Sequence, residues 1–156
     1  MDQKGFLFSP FWPSKNKLQL NLKFTKIGIV HFLSTNMKKI ILRNITSPTN
    51  TLRLKVCDTF FSKFRGLMLK KEIPHDGGIM IVEKGESKVN TSIHMMFMNY
   101  DITVLWLNKE MVVVDKVLAK RWKLYYGPKE PAQYILEIHS SRFEDFEIGD
   151  KFEAIS

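Results

Sequence analysis

The sequence has few of the residues and motifs that point directly to a chemistry. Cys57 is the only cysteine in 156 residues, which excludes an intrachain disulfide and a CxxC metal knuckle. The GxGxxG, P-loop, HExxH and GxSxG motifs are absent, so no standard site for a dinucleotide, a nucleoside triphosphate, a catalytic zinc or a serine nucleophile is visible. We therefore expect no cofactor and no metal. The residues alone do not decide between an enzyme and a binding protein.

Long hydrophobic runs are also missing. The apolar stretch at residues 27–33 is seven residues long and is interrupted by His31. A helix that crosses a bilayer needs about 20 apolar residues. No small-x-small cleavage site follows this stretch, which argues against a signal peptide. We expect no transmembrane segment and a cytoplasmic location.

The net charge of +8 is unevenly distributed along the chain. Residues 1–36 carry five lysines against one aspartate, which is half of the excess in less than a quarter of the length. The other half of the excess is spread over residues 37–156, so the net charge of the whole chain does not indicate an acidic partner. We therefore predict that nucleic acid is not the partner. Because residues 6–17 have no clear hydrophobic period and only 18–24 alternate, without a turn that pairs them to a neighbour, we expect a disordered tail or an upstream extension absent from the natural protein at 1–36, followed by one domain at 37–156. An edge strand at 18–24 and a membrane-surface anchor are the alternatives.

From residue 40 onward the pattern is one of many short strands separated by turns. The strands are predicted at 40–43, 52–56, 79–82, 92–99, 102–107, 111–118, 133–138 and 151–155. One amphipathic helix is predicted at 58–69 and a short helical turn at 141–145, where Ser141 and Glu144 resemble a capping box. The pattern predicts a mostly β domain, a jelly-roll-like β-sandwich or barrel. Cys57 ends a strand, so a buried structural thiol is expected.

The predicted strand at 92–99 carries an unusual group of side chains. Alternation along a strand places His94, Met96 and Met98 on one face. One imidazole and two thioethers are soft ligands that suit Cu(I). The favoured interpretation is a strand buried on both faces, in which methionine fills the core.

A second group combines aromatic and basic residues between 120 and 126. It contains the side chains Lys120, Arg121, Trp122, Lys123, Tyr125 and Tyr126, and Trp106 is a further aromatic residue that could join them. Such mixtures stack on single-stranded nucleic acid or on sugars. The favoured interpretation is that Trp106 belongs to the core and that the loop aromatics cover an edge of the sandwich.

Four short motifs occur in an order that resembles a known family. They are Arg-Gly-Leu-Met at 65–68, His-x-x-Phe-Met at 94–98, Leu-Glu at 136–137 and Gly-Asp at 149–150. In this order the chain resembles the DUF192 (UPF0127) family of uncharacterised proteins over residues 52–155. The resemblance implies a compact, mostly β, jelly-roll-like domain. The family's role is unsettled, so the resemblance implies a fold and a candidate site but no activity.

The chain departs from the family's pattern at several positions. Asp101 and Thr103 stand where the family usually has a proline and an aspartate, and Asn108 stands in place of a later aspartate. The glycine expected near residues 139–141 is missing. If the family has an acidic centre at the missing aspartate, this member lacks it.

The residues that match the family best supply the candidate site. We predict a non-enzymatic binding module for a small polar ligand, a glycan or a partner segment, with a site formed by Arg65, Gly66, Met68, His94, Met96 and Met98. One alternative is a hydrolase with His94 as base and Arg65 holding an anion. A structural or interaction protein without a ligand is the other.

Overall fold

The computed structural model describes residues 38–58, Leu67 and 71–155. Within them the chain forms seven strands and one 3-10 helix. The strands are β1 (Lys39–Asn44), β2 (Thr51–Cys57), β3 (Gly77–Ser87), β4 (Ile102–Leu107), β5 (Val113–Ala119), β6 (Ala132–His139) and β7 (Phe152–Ile155), and the 3-10 helix spans Ser140–Asp145. The helix predicted at 58–69 lies outside the described residues except for Asp58 and Leu67. No helix in the described part of the chain is long and apolar enough to cross a membrane.

All seven strands belong to one sheet, in the order β5-β4-β6-β3-β2-β1-β7. Neighbours are antiparallel except β2 and β3, which run parallel. The sheet curls until its two edge strands meet at one end. There Val112 bridges to Lys151 and the Val113 amide donates to the Asp150 carbonyl at 2.8 Å. The prediction of a mostly β, barrel-like domain is confirmed.

Two hydrophobic cores lie on opposite faces of this sheet, and β4 contributes to both. All six of its residues are buried, which explains its uninterrupted apolar sequence. Leu105 and Leu107 join the barrel core, which also contains residues of both edge strands and of β1 and β2. Val104 and Trp106 join the loop-covered core, so called because residues from the segments between strands complete it, namely Leu67, Ile73, Ile93, Met95 and Met98. The predicted core position of Trp106 is confirmed.

Several local predictions can be compared with these elements. Cys57 is buried, as expected for a structural thiol. The helical turn predicted at 141–145 is confirmed as the 3-10 helix, but its cap differs from the predicted capping box. The amide of Ser141 donates to Nδ1 of His139, so an imidazole caps this helix.

Gly78 lies where two strands approach each other closely. A Cβ atom on this residue would lie 2.3 Å from the Glu137 carbonyl oxygen. Real Cβ atoms do not come this close to backbone, so a side chain there would push β3 away from β6. The glycine at this position is therefore required by packing.

Candidate functional site

The segment that joins β3 to β4 does not form the strand predicted at 92–99. Ile93 makes a single bridge to Tyr126, and a turn follows, in which the Met98 amide donates to the Met95 carbonyl at 3.3 Å. Ile93, Met95 and Met98 are buried in the loop-covered core. The turn changes the spacing of the buried residues from two to three, which a strand cannot do.

The predicted shared face of His94, Met96 and Met98 is therefore wrong. Met98 is only 3 % exposed, whereas Met96 is 38 % exposed and His94 is also exposed. These three side chains therefore do not form the shared face on which the Cu(I) alternative depended. Within the described residues, no three His, Cys, Asp or Glu side chains could hold a metal together. A carboxylate hydrogen-bonded to the His94 imidazole would favour the hydrolase alternative, and among the described residues the imidazole makes no such bond.

Three predicted site residues, Arg65, Gly66 and Met68, lie outside the described residues. Of the 65–68 motif only Leu67 is described, and it is 3 % exposed. Its carbonyl accepts a long hydrogen bond of 3.5 Å from the Tyr100 hydroxyl. The 65–68 and 94–98 motifs therefore share the loop-covered core through Leu67 and Met98.

The structure brings together a pair of loops that the sequence placed apart. Residues 93–95 form a short ladder with residues 122–126. Ile93 and Tyr126 exchange two backbone hydrogen bonds of 2.8 and 2.9 Å. The Met95 amide donates to the Lys123 carbonyl at 2.8 Å, and the Trp122 amide donates to the Met95 carbonyl at 3.0 Å. This ladder fixes the positions of two adjoining turns, one at 95–98 and one at 120–123.

Each turn places an aromatic residue where the backbone favours glycine. Phe97 has φ 60° and Trp122 has φ 65°. Both occupy the third position of a turn, at 95–98 and at 120–123, and the second turn is closed by a 3.4 Å bond from Lys123 to Lys120. A positive φ at this position normally selects glycine or asparagine, and it is rare for a bulky residue. Two bulky aromatic residues are thus held in a conformation that neither prefers.

The two rings meet at the surface of the molecule. Phe97 and Trp122 pack edge to face with their centroids 6.1 Å apart, and they are 47 % and 56 % exposed. Tyr125 is 62 % exposed, and its hydroxyl lies 3.1 Å from the Ser92 hydroxyl. We call Phe97, Trp122 and Tyr125 the aromatic surface. The prediction that the loop aromatics cover an edge of the sandwich is therefore wrong for Trp122 and Tyr125.

An open polar cleft of about 610 Å³ includes residues of the same loop. It is lined by Asn99, Tyr100, Asp101, Lys120, Arg121 and Ser140. Asp101 organises one wall, because Oδ1 accepts from the Arg121 amide at 2.9 Å and Oδ2 accepts from Lys120 Nζ at 3.0 Å. Arg121 lines the cleft and directly precedes Trp122. The cleft and the aromatic surface are thus connected through one turn.

The protonation states of two cleft residues follow from their surroundings. The hydrogen bond from the Arg121 amide, and then the one from Lys120, hold the pKa of Asp101 below its ordinary value. Burial raises the pKa of Tyr100 to about 12, and the charge of nearby Glu137 adds to this effect. At neutral pH the cleft therefore offers a carboxylate that accepts hydrogen bonds and a phenol that keeps its proton.

The three cations of the loop are not equivalent. Lys120 is neutralised by Asp101, and Lys123 lies over the Tyr126 ring at 4.3 Å from its centroid. The Arg121 guanidinium has no hydrogen bond or ion pair with a described residue. Of the three basic side chains between 120 and 126, Arg121 is thus the one that makes no hydrogen bond, ion pair or ring contact with a described residue, so its N–H groups are available to a ligand.

The family model DUF192, described as "Uncharacterized ACR", matches residues 41–154. The chain belongs to the DUF192 family. The family resemblance read from the four motifs is confirmed, and the family's function is uncharacterised.

Archaeal relatives agree with this assignment. The UPF0127 protein TK1120 of Thermococcus kodakarensis is 48 % identical over 85 residues, which are 54 % of this chain and 52 % of the relative. A UPF0127 protein of Thermococcus gammatolerans is 42 % identical over 62 % of this chain and 63 % of its own length. The chain thus spans between half and two thirds of these DUF192 relatives. For PF1050 of Pyrococcus furiosus, at 36 % identity, the match spans 65 % of this chain and 86 % of the relative.

Solved structures share the DUF192 fold. A protein from Sinorhizobium meliloti 1021, described as a candidate transcription regulator, superposes with a TM-score of 0.68 at 14 % identity, over 77 % of this chain and 96 % of that chain. A protein of unknown function from Novosphingobium aromaticivorans superposes with a TM-score of 0.63 at 15 % identity, over 75 % of this chain and 84 % of that chain. At such identities the likeness shows the fold alone.

Several family motif positions have structural roles here. Asn44 donates to the buried carboxylate of Asp150 at 2.8 Å, and the same carboxylate oxygen accepts from the Glu147 amide at 2.9 Å. Gly149 before it has φ 97°, which favours glycine. Asn108, in place of an aspartate, uses its side-chain oxygen to accept from the amides of residues 110 and 112. An asparagine oxygen can fill this role as well as a carboxylate.

Two departures from the family's pattern lie near the cleft. Thr103 is fully buried and donates its hydroxyl to the Ser140 carbonyl at 3.2 Å. Asp101 supplies a carboxylate two residues earlier, on the cleft wall. In the sequence, Asp101 stands out only as a departure from the family's pattern, and Phe97 falls within the predicted strand at 92–99. The alternation of cations and aromatics between 120 and 126 was the one signal that pointed to this region.

Proposed function

We propose that this DUF192 domain is a non-enzymatic binding module that takes a glycan across the aromatic surface and the adjoining cleft. The pair of exposed rings, Phe97 and Trp122, carries the proposal. A left-handed backbone costs an ordinary residue about 1–2 kcal/mol, and such strain clusters at sites of function. Glycine at either position would remove the strain without changing the ladder. The rings are therefore best explained by what they contact.

A glycan fits both halves of this surface. A sugar ring has apolar C–H faces and a rim of hydroxyl groups, so it needs an aromatic ring beside hydrogen-bonding groups. Trp122 supplies an exposed indole. The cleft supplies Asp101, Asn99 and Ser140, which offer a carboxylate, an amide and a hydroxyl. The turn at 120–123 connects the two halves through Arg121.

The charge at the surface favours a glycan over a nucleic acid. Proteins that bind single strands follow the phosphate backbone with a row of cations and place bases on aromatic rings. Lys120 is paired with Asp101, and Lys123 keeps its charge while it lies over the Tyr126 ring, so Arg121 and Lys123 are the cations of this loop without a paired carboxylate, which is too few for a row along a phosphate backbone. This supports the prediction, made from the distribution of charge, that nucleic acid is not the partner.

The proposal is tested by calorimetric titration of the full chain with a panel of hexasaccharides. The panel contains malto-, cello- and chitohexaose and hexamers of galacturonate, mannuronate and guluronate. We expect at least one to bind, and Trp122→Gly to weaken that binding by about tenfold, because stacking on an aromatic ring contributes about 1–3 kcal/mol. The control variant is Ile148→Ala, which removes an exposed apolar side chain next to Gly149, whose amide donates to the Val113 carbonyl at the opposite end of β5. If no member of the panel binds, or if both variants weaken binding equally, the proposal is wrong.

A further inference from the structure

The lining of the cleft carries an excess of positive charge, which a neutral sugar would leave unpaired. Two cations, Lys120 and Arg121, and one carboxylate, Asp101, give it an excess of one positive charge. Both oxygens of Asp101 already accept hydrogen bonds, one from the Arg121 amide and one from Lys120. Asp101 also attracts the Arg121 side chain electrostatically, but the guanidinium makes no hydrogen bond or ion pair with a described residue, so its N–H groups are available to a ligand.

We infer that the glycan is acidic, and that Arg121 binds a carboxylate on the sugar next to the one stacked on Trp122. This inference rests on the proposed function and adds the class of ligand. A guanidinium presents its N–H groups in a planar fork that matches a carboxylate, which makes such pairs both strong and directional. Because Arg121 and Trp122 are consecutive in one turn, their side chains would contact neighbouring sugars of one bound glycan.

The backbone around Arg121 restricts where its side chain can reach. Its amide is held by Asp101 at 2.9 Å, and the next residue is held by the 3.0 Å bond from the Trp122 amide to Met95. Because the backbone on both sides of the Arg121 side chain is already held by hydrogen bonds, this segment loses less conformational freedom when a ligand binds. One available guanidinium matches one carboxylate per bound sugar, which is the charge density of a uronate polymer rather than of a polyphosphate.

The tyrosine of the cleft is compatible with an anionic ligand. A tyrosine phenol is neutral at physiological pH, and burial together with the Glu137 charge raises the pKa of Tyr100 further, to about 12, so the phenol does not repel a carboxylate. Asn99 and Ser140 are uncharged donors on the same lining. Apart from Asp101, the lining therefore carries no anionic side chain.

The test compares a charged hexasaccharide with the same molecule after its charge is removed. The probes are hexagalacturonate, hexamannuronate and hexaguluronate, each with its fully methyl-esterified form, titrated at low and at physiological salt. We expect one free acid to bind about tenfold tighter than its ester, as one charge-assisted contact implies. We expect Arg121→Gln to reduce that difference between free acid and ester to less than about twofold. Lys123→Gln is the matched control, because it removes the same charge from the same loop, and we expect it to change affinity by less than about twofold.

Each outcome separates this inference from the proposed function. If neutral hexasaccharides or esters bind as tightly as the free acids, the carboxylate inference is overturned and the glycan site stands. If Lys123→Gln acts as strongly as Arg121→Gln, general charge attraction replaces the specific contact. If no sugar binds, both proposals are overturned. Tight binding of a thymidine oligonucleotide with a steep salt dependence and no sugar binding would identify a nucleic-acid surface instead.

Discussion

Replacing Trp122 by glycine is expected to give a more stable domain than replacing it by alanine. Both changes remove the indole and its edge-to-face contact with Phe97, so the comparison between them cancels the ring's own contribution. What differs is the backbone, because alanine keeps a residue with a Cβ at φ 65° and glycine does not. The same comparison applies to Phe97.

The magnitude follows from two opposing terms. A left-handed backbone costs a residue with a Cβ about 1–2 kcal/mol. Glycine gives back about 0.4–1 kcal/mol through the greater freedom of the unfolded chain. The glycine variant should therefore be more stable than the alanine variant by about 1 kcal/mol, or roughly 4 °C in Tm for a domain of this size.

Urea unfolding of the four variants, two at each aromatic position, measures this difference directly. Leu124 provides the matched control, since it is 70 % exposed in the same loop and its φ is not positive. There the usual order holds, and alanine should be at least as stable as glycine. If alanine is also the more stable variant at Trp122 and Phe97, the two turns are not strained and the argument from strain to function fails.

Other consequences concern single positions. Gly78→Ala should destabilise the domain by about 1–3 kcal/mol in urea unfolding, because its Cβ meets backbone, whereas Gly85→Ala, with open space around it, should not; equal effects would contradict the packing argument. The folded pKa of Asp101 lies below its ordinary value, so its stabilisation is present at neutral pH and is lost as the pH falls through the folded pKa. Asp101→Asn should therefore flatten the acid limb of the stability profile, and an unchanged limb would count against this assignment. The pKa of Tyr100 is raised to about 12, so its stabilisation is present below pH 10 and declines as the pH rises towards 12. Tyr100→Phe should abolish that alkaline decline in chemical unfolding, and its persistence would assign the decline to another group. Asn108→Asp should change stability by less than about 0.5 kcal/mol while Asn108→Ala costs about 1 kcal/mol, since only alanine lacks the acceptor oxygen; equal losses would contradict this role.

The strands were predictable where one physical constraint dominates the sequence. In β2 the exposed and buried residues alternate, which is the pattern from which the strand was inferred. In β4 every residue is buried because both faces carry a core, and its apolar run predicted this. In such segments the polarity of each residue reflects its own burial, so the strand can be predicted from the sequence.

The candidate site was not predictable in the same way. Residues 92–99 read as a strand because they are apolar, but Met95 and Met98 are buried across a turn and Phe97 is exposed. The backbone of Phe97 contradicts the preference of its own side chain, so no local rule predicts it. Its ring meets Trp122 because a ladder pairs two loops that lie about 25 residues apart in the printed sequence. Contacts of this kind depend on the tertiary fold and leave little trace in a single sequence.

The most direct test of the central claim is an NMR titration that follows the tryptophan indole N–H resonances. Trp106 is an internal reference, because it is 1 % exposed and its Nε1 donates to the Thr91 carbonyl at 2.7 Å. On addition of the hexasaccharides, we predict a saturable shift of the Trp122 resonance and no shift of the Trp106 resonance. A Trp122 resonance that stays unchanged with every hexasaccharide would contradict the claim that the aromatic surface binds a glycan.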